Sequence, residues 1–186
     1  QFAGPEVAQG QTAMWLGLAV VAALCIGAIA GLINGSLIAF FGLPPILATL
    51  GSGLVFTGFA IAMTGGSAVM GFPDAVAWLG NERLLGIPVP LIVFALLGFG
   101  LHLLLTRTAF GLRVTMFGAN PLAALYAAVD INRMLLKVYV SAGMFASIAG
   151  RVIMSRANSA KADYGSSYLL RAVLIAVLSA WTGIFA

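Results

Sequence analysis

Charged residues are scarce in this sequence. Of its 186 residues only 8% are charged, 62% are hydrophobic, and the mean hydropathy is +1.10. Soluble domains typically carry about 25% charged and about 45–50% apolar residues. The nine Lys and Arg and the five Asp and Glu stand in short islands between long apolar runs, and not in a basic stripe of the kind that binds nucleic acid. The composition therefore argues against a water-soluble fold and against nucleic acid as a partner, and it predicts a membrane protein.

Residues that carry out chemistry are equally rare. The chain has one cysteine, Cys25, and one histidine, His102, so it can form neither an intrachain disulfide nor a cluster that holds zinc or iron–sulfur. An intramembrane protease or lipid-modifying transferase would need a nucleophile with a base, metal ligands or paired acids, and no acidic residue falls within an apolar run. We therefore expect no catalytic residue, no metal site and no cofactor bound by this chain. We interpret Cys25 as a small apolar filler and His102 as structural or interfacial.

Long apolar runs dominate what remains. The hydrocarbon core of a bilayer is about 30 Å thick and requires about 20 apolar residues per helix. Five runs approach or exceed that length, at residues 12–41, 46–64, 91–106, 138–155 and 169–186. We predict an all-α, polytopic helical membrane protein with about five spans, forming a single transmembrane domain over residues 1–186. Because the chain starts with Gln1 and no polar tail follows the last run, we expect that domain to be incomplete at both ends.

Small residues recur at helical spacing in two of these runs. Gly27, Gly31 and Gly35 stand four residues apart in the first run, which places them on one face of a helix. Bare backbone on such a face lets a second helix approach closely, a common basis for helix association in lipid. Residues of similar size have the same spacing in the fourth run, at Ala142, Ala146 and Gly150. Both faces are predicted to pack against other helices.

The polar island at residues 107–137 contains a predicted surface helix. Asn120 followed by Pro121 is a strong helix start, because Asn caps free amides and Pro at the first position gives up an amide that would be unpaired. The apolar residues of one helical face then follow at i, i+3, i+4 and i+7, as Leu122, Leu125, Tyr126 and Val129. Such a helix suits a groove on a soluble partner, or it simply lies on lipid. The pattern alone leaves both interpretations open.

This loop resembles the cytoplasmic coupling segment of the ribose-type family of ABC importer permeases. The family pattern TxFGxxxxxxGxNxxAA and the return to the membrane are matched here at Thr108, Phe110, Gly111, Gly118, Asn120, Ala123, Ala124, Val129, Asp130, Asn132 and Arg133. An upstream pattern, GxxNGxLxxxxxxPxxIxTLGT, is matched at Gly31, Asn34, Gly35, Leu37, Pro45, Thr49, Leu50 and Gly51. Further matches follow in the family's order at residues 65–66, 86–90 and 155–168. The similarity therefore extends from about residue 31 to residue 168.

The resemblance implies a function and a set of partners. It implies the permease subunit of a bacterial ABC importer in the inner membrane, which moves a monosaccharide or a sugar-like solute. The chain has no GxxxxGK(S/T) phosphate loop, so ATP and Mg²⁺ are expected at a partner. The implied partners are cytoplasmic ABC ATPase subunits, a periplasmic solute-binding protein, a second permease copy or paralogue, and membrane lipid. The alternative is a structural or receptor-like membrane subunit that does not transport.

Two groups of residues are predicted to carry that function. The resemblance assigns ATPase coupling to the surface helix and its ends, at Gly118, Asn120, Pro121, Leu122, Ala123, Ala124, Leu125, Tyr126, Val129, Asp130 and Arg133. Polar residues within the first two runs are candidates for the solute path, at Asn34, Thr49, Ser52 and Thr57. Each of these four could bond a sugar hydroxyl or the carbonyl of its own helix, and the second option is favoured for any single residue.

The chain also departs from the family pattern. Ser179 and Ala180 stand where the family usually has a Gly-Gly pair, and Arg151 interrupts a span where the family has an apolar residue. A lone guanidinium in lipid is costly, so we expect Arg151 and Arg171 to reach an aqueous side or line a cavity.

Overall fold

The computed structural model describes residues 5–70, 80–84, 86–162 and 164–184. Within these ranges the chain forms helices joined by short turns and four two-residue strands. The helices are α1 (Pro5–Ala39), α2 (Pro45–Thr64), α3 (Val89–Arg107), α4 (Ala109–Ala119), α5 (Pro121–Tyr126), α6 (Ile131–Ala157) and α7 (Tyr164–Ile184). The strands are β1 (Val69–Met70), β2 (Arg83–Leu84), β3 (Ile87–Pro88) and β4 (Ser159–Ala160).

Four of the described helices are long and apolar enough to cross a membrane: Gly17–Ala39 within α1, Pro45–Thr64, Val89–Arg107 and Ile131–Ala157. This confirms the prediction of an all-α polytopic membrane protein. The fifth predicted run forms most of α7, whose described apolar stretch, Tyr164–Ser179, is shorter than the other four. The last two residues of that run, 185 and 186, lie outside the described residues.

The helix boundaries follow from proline and glycine. α1 ends at Ala39, Gly42 follows with φ +65°, and α2 begins at Pro45 with Pro44 as its extended N-cap. The double proline thus makes a turn between two helices, since a proline at a helix start loses no hydrogen bond. α2 ends at Gly65, which adopts the left-handed conformation with φ 61° and donates its amide to the Ile61 carbonyl. Glycine adopts this conformation without steric cost.

α1 and α6 pack antiparallel, with backbone against backbone. Gly27 lies against Gly143 and Ser147, Gly31 against Tyr139 and Val140, and Gly35 against Leu136 and Tyr139. A Cβ added to Gly27 or Gly31 would clash with a backbone carbonyl oxygen of α6, and one added to Gly143 would clash with the Gly27 carbonyl. The three glycines of α1 therefore all lie on its contact with α6, and two of them leave no room for a side chain.

The small-residue face predicted for α6 points elsewhere. Ala142, Ala146 and Gly150 are exposed, and no described atom lies within 4 Å of a Cβ built on Gly150. The face that meets α1 includes Gly143 and Ser147, which is the same spacing displaced by one residue. A displacement of one residue turns a helix face by about 100°, so the predicted face takes no part in the contact with α1, and its packing against another helix stays a prediction.

Short strands lie at the helix ends that are farthest from α4 and α5. β1 pairs antiparallel with β4, so the turn after α2 is joined to the turn after α6. β2 and β3 form a hairpin directly before α3, with Gly86 at φ +84°. Gly80 lies against the backbone of Ser155 and Arg156 at the end of α6. These contacts place the ends of α2 and α6 and the start of α3 on one side, and α4 and α5 on the other.

Candidate coupling segment and solute path

α4 is a helix that the sequence pattern did not reveal. Thr108 is its N-cap: the hydroxyl accepts a hydrogen bond from the Gly111 amide at 3.3 Å and donates to the Leu104 carbonyl. Gly111 is buried, and a Cβ on it would clash with the Leu105 backbone. The chain can therefore turn sharply from α3 into α4 only because residue 111 is glycine. Thr108, an N-cap residue type directly after the third run, is the signal that could have predicted the start of α4.

Asn120 ends α4 and starts α5. Its backbone amide donates to the Met116 carbonyl, and its side-chain oxygen accepts from the amides of Leu122 and Ala123 at 3.0 and 3.2 Å. Pro121 occupies the first position of α5, as the Asn-Pro pair predicts. One side chain thus fixes the junction between two short helices, and a cap of this kind contributes about 1 kcal/mol.

α5 presents apolar side chains away from the protein. Ala124 is fully buried on the inner side of the helix, whereas Leu122, Leu125 and Tyr126 are 65%, 57% and 88% exposed. A tyrosine exposed to that extent makes little contact with its own chain. Exposed apolar residues grouped on a short helix indicate a surface that another molecule covers.

α5 is shorter than the sequence pattern predicts. Ala128 adopts the left-handed conformation, with φ 54°. Its amide donates to the Leu125 carbonyl, and the next amide, of Val129, donates to the Ala124 carbonyl at 3.2 Å, which is the hydrogen-bond pattern of a Schellman C-cap. Val129 therefore lies beyond the helix end and is half-buried. The prediction that Val129 continues the apolar face of α5 is wrong, because the helix stops before reaching it.

The chain re-enters the membrane at Asp130. Its carboxylate accepts from the Arg133 amide at 3.1 Å and contacts Arg133 Nε at 2.9 Å. The two side chains are 53% and 82% exposed, so the ion pair itself contributes less than about 1 kcal/mol, and the cap is the more important role. Gly118, also predicted for coupling, is exposed, and no described atom lies within 4 Å of a Cβ built there. Nothing in the structure explains a glycine at that position.

Three of the four solute-path candidates lie together. Ser52 of α2 lies 2.6 Å from the Asn34 side-chain oxygen of α1, and its hydroxyl is also 3.1 Å from the Thr49 carbonyl. Thr49 donates to the Pro45 carbonyl of its own helix at 2.8 Å. Thr57 is exposed and lies roughly 140° around α2 from Ser52, so it does not join this group. Asn34 and Ser52 form the polar contact between the first two spans.

Arg151 contacts α1 from within α6. Its guanidinium donates to the Ala19 carbonyl, and its Nε is buried without a hydrogen-bond partner among the described residues. The side chain therefore joins the two packed helices, and its predicted position, on the same aqueous side as Arg171 or lining a cavity, stays a prediction. Arg171 is exposed on α7. In the part of the chain that the structure describes, no three His, Cys, Asp or Glu side chains lie close enough to hold a metal ion.

Residues 6–186 match the family described as branched-chain amino acid transport system, permease component. The chain therefore belongs to this family of membrane transport permeases. Together with the four membrane-spanning helices, this makes it a multi-pass protein of the bacterial inner membrane.

Individual relatives give a more specific comparison than the family does. The chain is 38% identical to the Autoinducer 2 import system permease protein LsrD of Salmonella typhimurium, over 90% of this chain and 52% of the relative. It is 36% identical to the protein of the same name in Yersinia enterocolitica and 35% to that in Escherichia coli, each over 90% of this chain and 53% of the relative. The resemblance to ribose-type ABC importer permeases is thus confirmed. The chain spans about half the length of these relatives, and no solved structure matches it.

Proposed function

We propose that this chain belongs to the permease subunit of a bacterial ABC importer that moves a monosaccharide or sugar-like solute across the inner membrane. The relatives are named for import of autoinducer 2, which makes that molecule the first solute to test. The energy comes from ATP, bound with Mg²⁺ by cytoplasmic ATPase subunits. A periplasmic binding protein delivers the solute, and a second permease copy or a paralogue completes the path.

The observation that carries this proposal is α5. The helix is fixed at its start by Asn120 and at its end by the Schellman turn at Ala128, and it leaves Leu122, Leu125 and Tyr126 exposed. A short helix can transmit a displacement only if its ends are firmly held. These residues supply a rigid body with an apolar face, which suits a groove on an ATPase subunit.

The solute path is the second part of the proposal. Asn34 and Ser52 bring an amide and a hydroxyl together between α1 and α2, and neutral groups of this kind exchange hydrogen bonds with sugar hydroxyls at low cost. Thr49 contributes less, because its hydroxyl already donates within α2.

The experiment that tests the proposal is co-purification of the full-length natural protein with its ATPase subunits from mild detergent. The variant is Leu125→Asp with Tyr126→Asp, because charge at two exposed apolar positions should abolish docking without disturbing the fold. The matched control is Met70→Asp, which places a charge at a 73% exposed apolar residue on the opposite side of the membrane.

We expect the wild type and Met70→Asp to retain the ATPase and the double variant to lose it while its membrane insertion stays normal. Retention of the ATPase by all three proteins would contradict a coupling role for α5 and leave it as a helix that lies on lipid. A retained ATPase whose turnover does not respond to solute and binding protein would favour the structural or receptor-like alternative.

A further inference from the structure

A groove lies next to the turn that follows α5. Its volume is about 600 Å³, and it lies between the end of α3, the start of α4, the turn after α5 and the first half of α6. Its lining combines charged side chains of α4 and α6, residues of the turn after α5, and apolar residues of α3, α4 and α6.

The charged part of the groove is basic. Arg113 from α4 and Arg133 and Lys137 from α6 line it, together with a single carboxylate, that of Asp130. Asp130 is already engaged by Arg133 Nε at 2.9 Å. All three cations are exposed, so a ligand can reach them. The balance of charge favours an anion, because two cations have no acidic neighbour in the lining.

The groove lining also includes residues of two candidate membrane spans, α3 and α6. Ser141 lines it ten residues after the start of α6, a distance of about 15 Å along the helix. Leu104 of α3 and Phe110 of α4 are half-buried and supply apolar walls, whereas Met134 of α6 also lines the groove but is only 4% exposed. An occupant with an anionic head and an apolar tail satisfies both parts at once.

We propose that this groove binds one anionic phospholipid, with its phosphate among Arg113, Arg133 and Lys137 and an acyl chain against Leu104 and Phe110. Arg113 lies on α4 and Lys137 on α6. The lipid therefore links α4, which precedes the coupling helix α5, to α6, the span that follows it. A soluble acidic partner is the less suitable occupant, because Leu104 and Ser141 lie within spans where a lipid tail reaches and a water-soluble protein does not.

The test is lipid binding by the full-length natural protein in mild detergent, measured by native mass spectrometry with phosphatidylglycerol and, as the neutral comparison, phosphatidylcholine. Each basic residue near a membrane surface strengthens binding of anionic lipid by about fivefold. We therefore expect Arg113→Gln or Lys137→Gln to weaken phosphatidylglycerol binding about fivefold, and the double variant to weaken it about 25-fold. Phosphatidylcholine binding should not change.

Two further variants separate this site from general surface charge. Arg107→Gln removes an exposed cation at the end of α3, on the same side of the membrane and outside the groove lining, and should weaken binding less than Arg113→Gln or Lys137→Gln does, because Arg107 does not line the proposed phosphate site. Asp130→Asn removes the carboxylate from the groove and keeps an N-cap on α6, because Asn caps as well as Asp. It should tighten phosphatidylglycerol binding, a gain that simple damage to the protein would not produce.

Four results would overturn the proposal. One is equal binding of the two lipids, and another is equal loss in the Arg107→Gln variant. The third is loss of ATPase co-purification in the variant that combines Arg113→Gln and Lys137→Gln, with phosphatidylglycerol binding unchanged. That result would make the groove part of the ATPase contact. Competition by inorganic phosphate as strongly as by phosphatidylglycerol would also contradict a lipid site and indicate a site for the phosphate group alone.

Discussion

The α1–α6 contact and the α5 segment use side chains in opposite ways. In the first, Gly27 and Gly31 bring two backbones together, and an added Cβ would clash. In the second, Leu125 and Tyr126 extend outward and contact little of their own chain. Within lipid, close backbone approach holds helices together, because apolar side chains gain nothing by leaving an apolar solvent. At the membrane surface, apolar side chains can still be withdrawn from water by a partner. Substitutions should therefore affect stability in the first region and association in the second.

The largest effect on stability is expected at Gly31. Gly31→Ala should destabilise the protein by about 1–3 kcal/mol, because the new methyl group forces α1 away from the Tyr139 backbone. The measurement is reversible unfolding in mixed micelles, followed by circular dichroism. Gly98→Ala in α3 is the control: no described atom lies within 4 Å of its Cβ position, so it should gain about 0.5–1 kcal/mol from helix propensity. If Gly31→Ala and Gly98→Ala change the stability in the same direction, the close backbone contact at Gly31 does not explain the effect there.

A smaller effect is expected at Asn120. Asn120→Ala removes the oxygen that accepts from the Leu122 and Ala123 amides and should cost about 1 kcal/mol, confined to α5. Hydrogen exchange of those two amides should accelerate about fivefold, while exchange within α1 and α6 stays the same. Asn120→Asp preserves the cap and serves as the control. Faster exchange throughout the spans would show that α5 is not an independent unit.

The smallest effect is expected at Ala128. Its left-handed conformation, φ 54°, costs about 1–2 kcal/mol for a residue with a Cβ, and Ala128→Gly removes that cost. Part of the gain is lost because glycine is more flexible in the unfolded chain, so a net stabilisation of about 0.5 kcal/mol is expected, measured as slower exchange of the Val129 amide. Asn158→Gly, at the other described non-glycine residue with positive φ, should change less, since Asn tolerates this conformation. An equal gain in stability in the Ala128→Gly and Asn158→Gly variants would contradict a higher cost of positive φ for alanine than for asparagine.

The sequence predicted local features better than relationships between elements. The helix start at Asn120 and Pro121 depends on neighbouring residues alone, and the structure has it there. Small residues occupy two faces of α6, with Ala142, Ala146 and Gly150 on one and Gly143 and Ser147 on the other, and periodicity does not say which one meets α1. The turn at Gly111 and the early end of α5 at Ala128 were missed for a related reason. Both depend on close backbone approach or on an unfavourable φ, and residue type alone reports neither.

The direct backbone contact between α1 and α6 at Gly27 and Gly31 has a mechanical consequence. Helices separated by side chains can shift when those side chains change rotamer, but two backbones in direct contact have no such freedom. α1 and α6 should therefore move together as one rigid unit. Gly35 rests on Leu136, about 9 Å along α6 from the Asp130 cap, and Asn34 is the residue beside it. A displacement at the end of α5 would thus reach the Asn34–Ser52 hydrogen bond through a single rigid pair of helices.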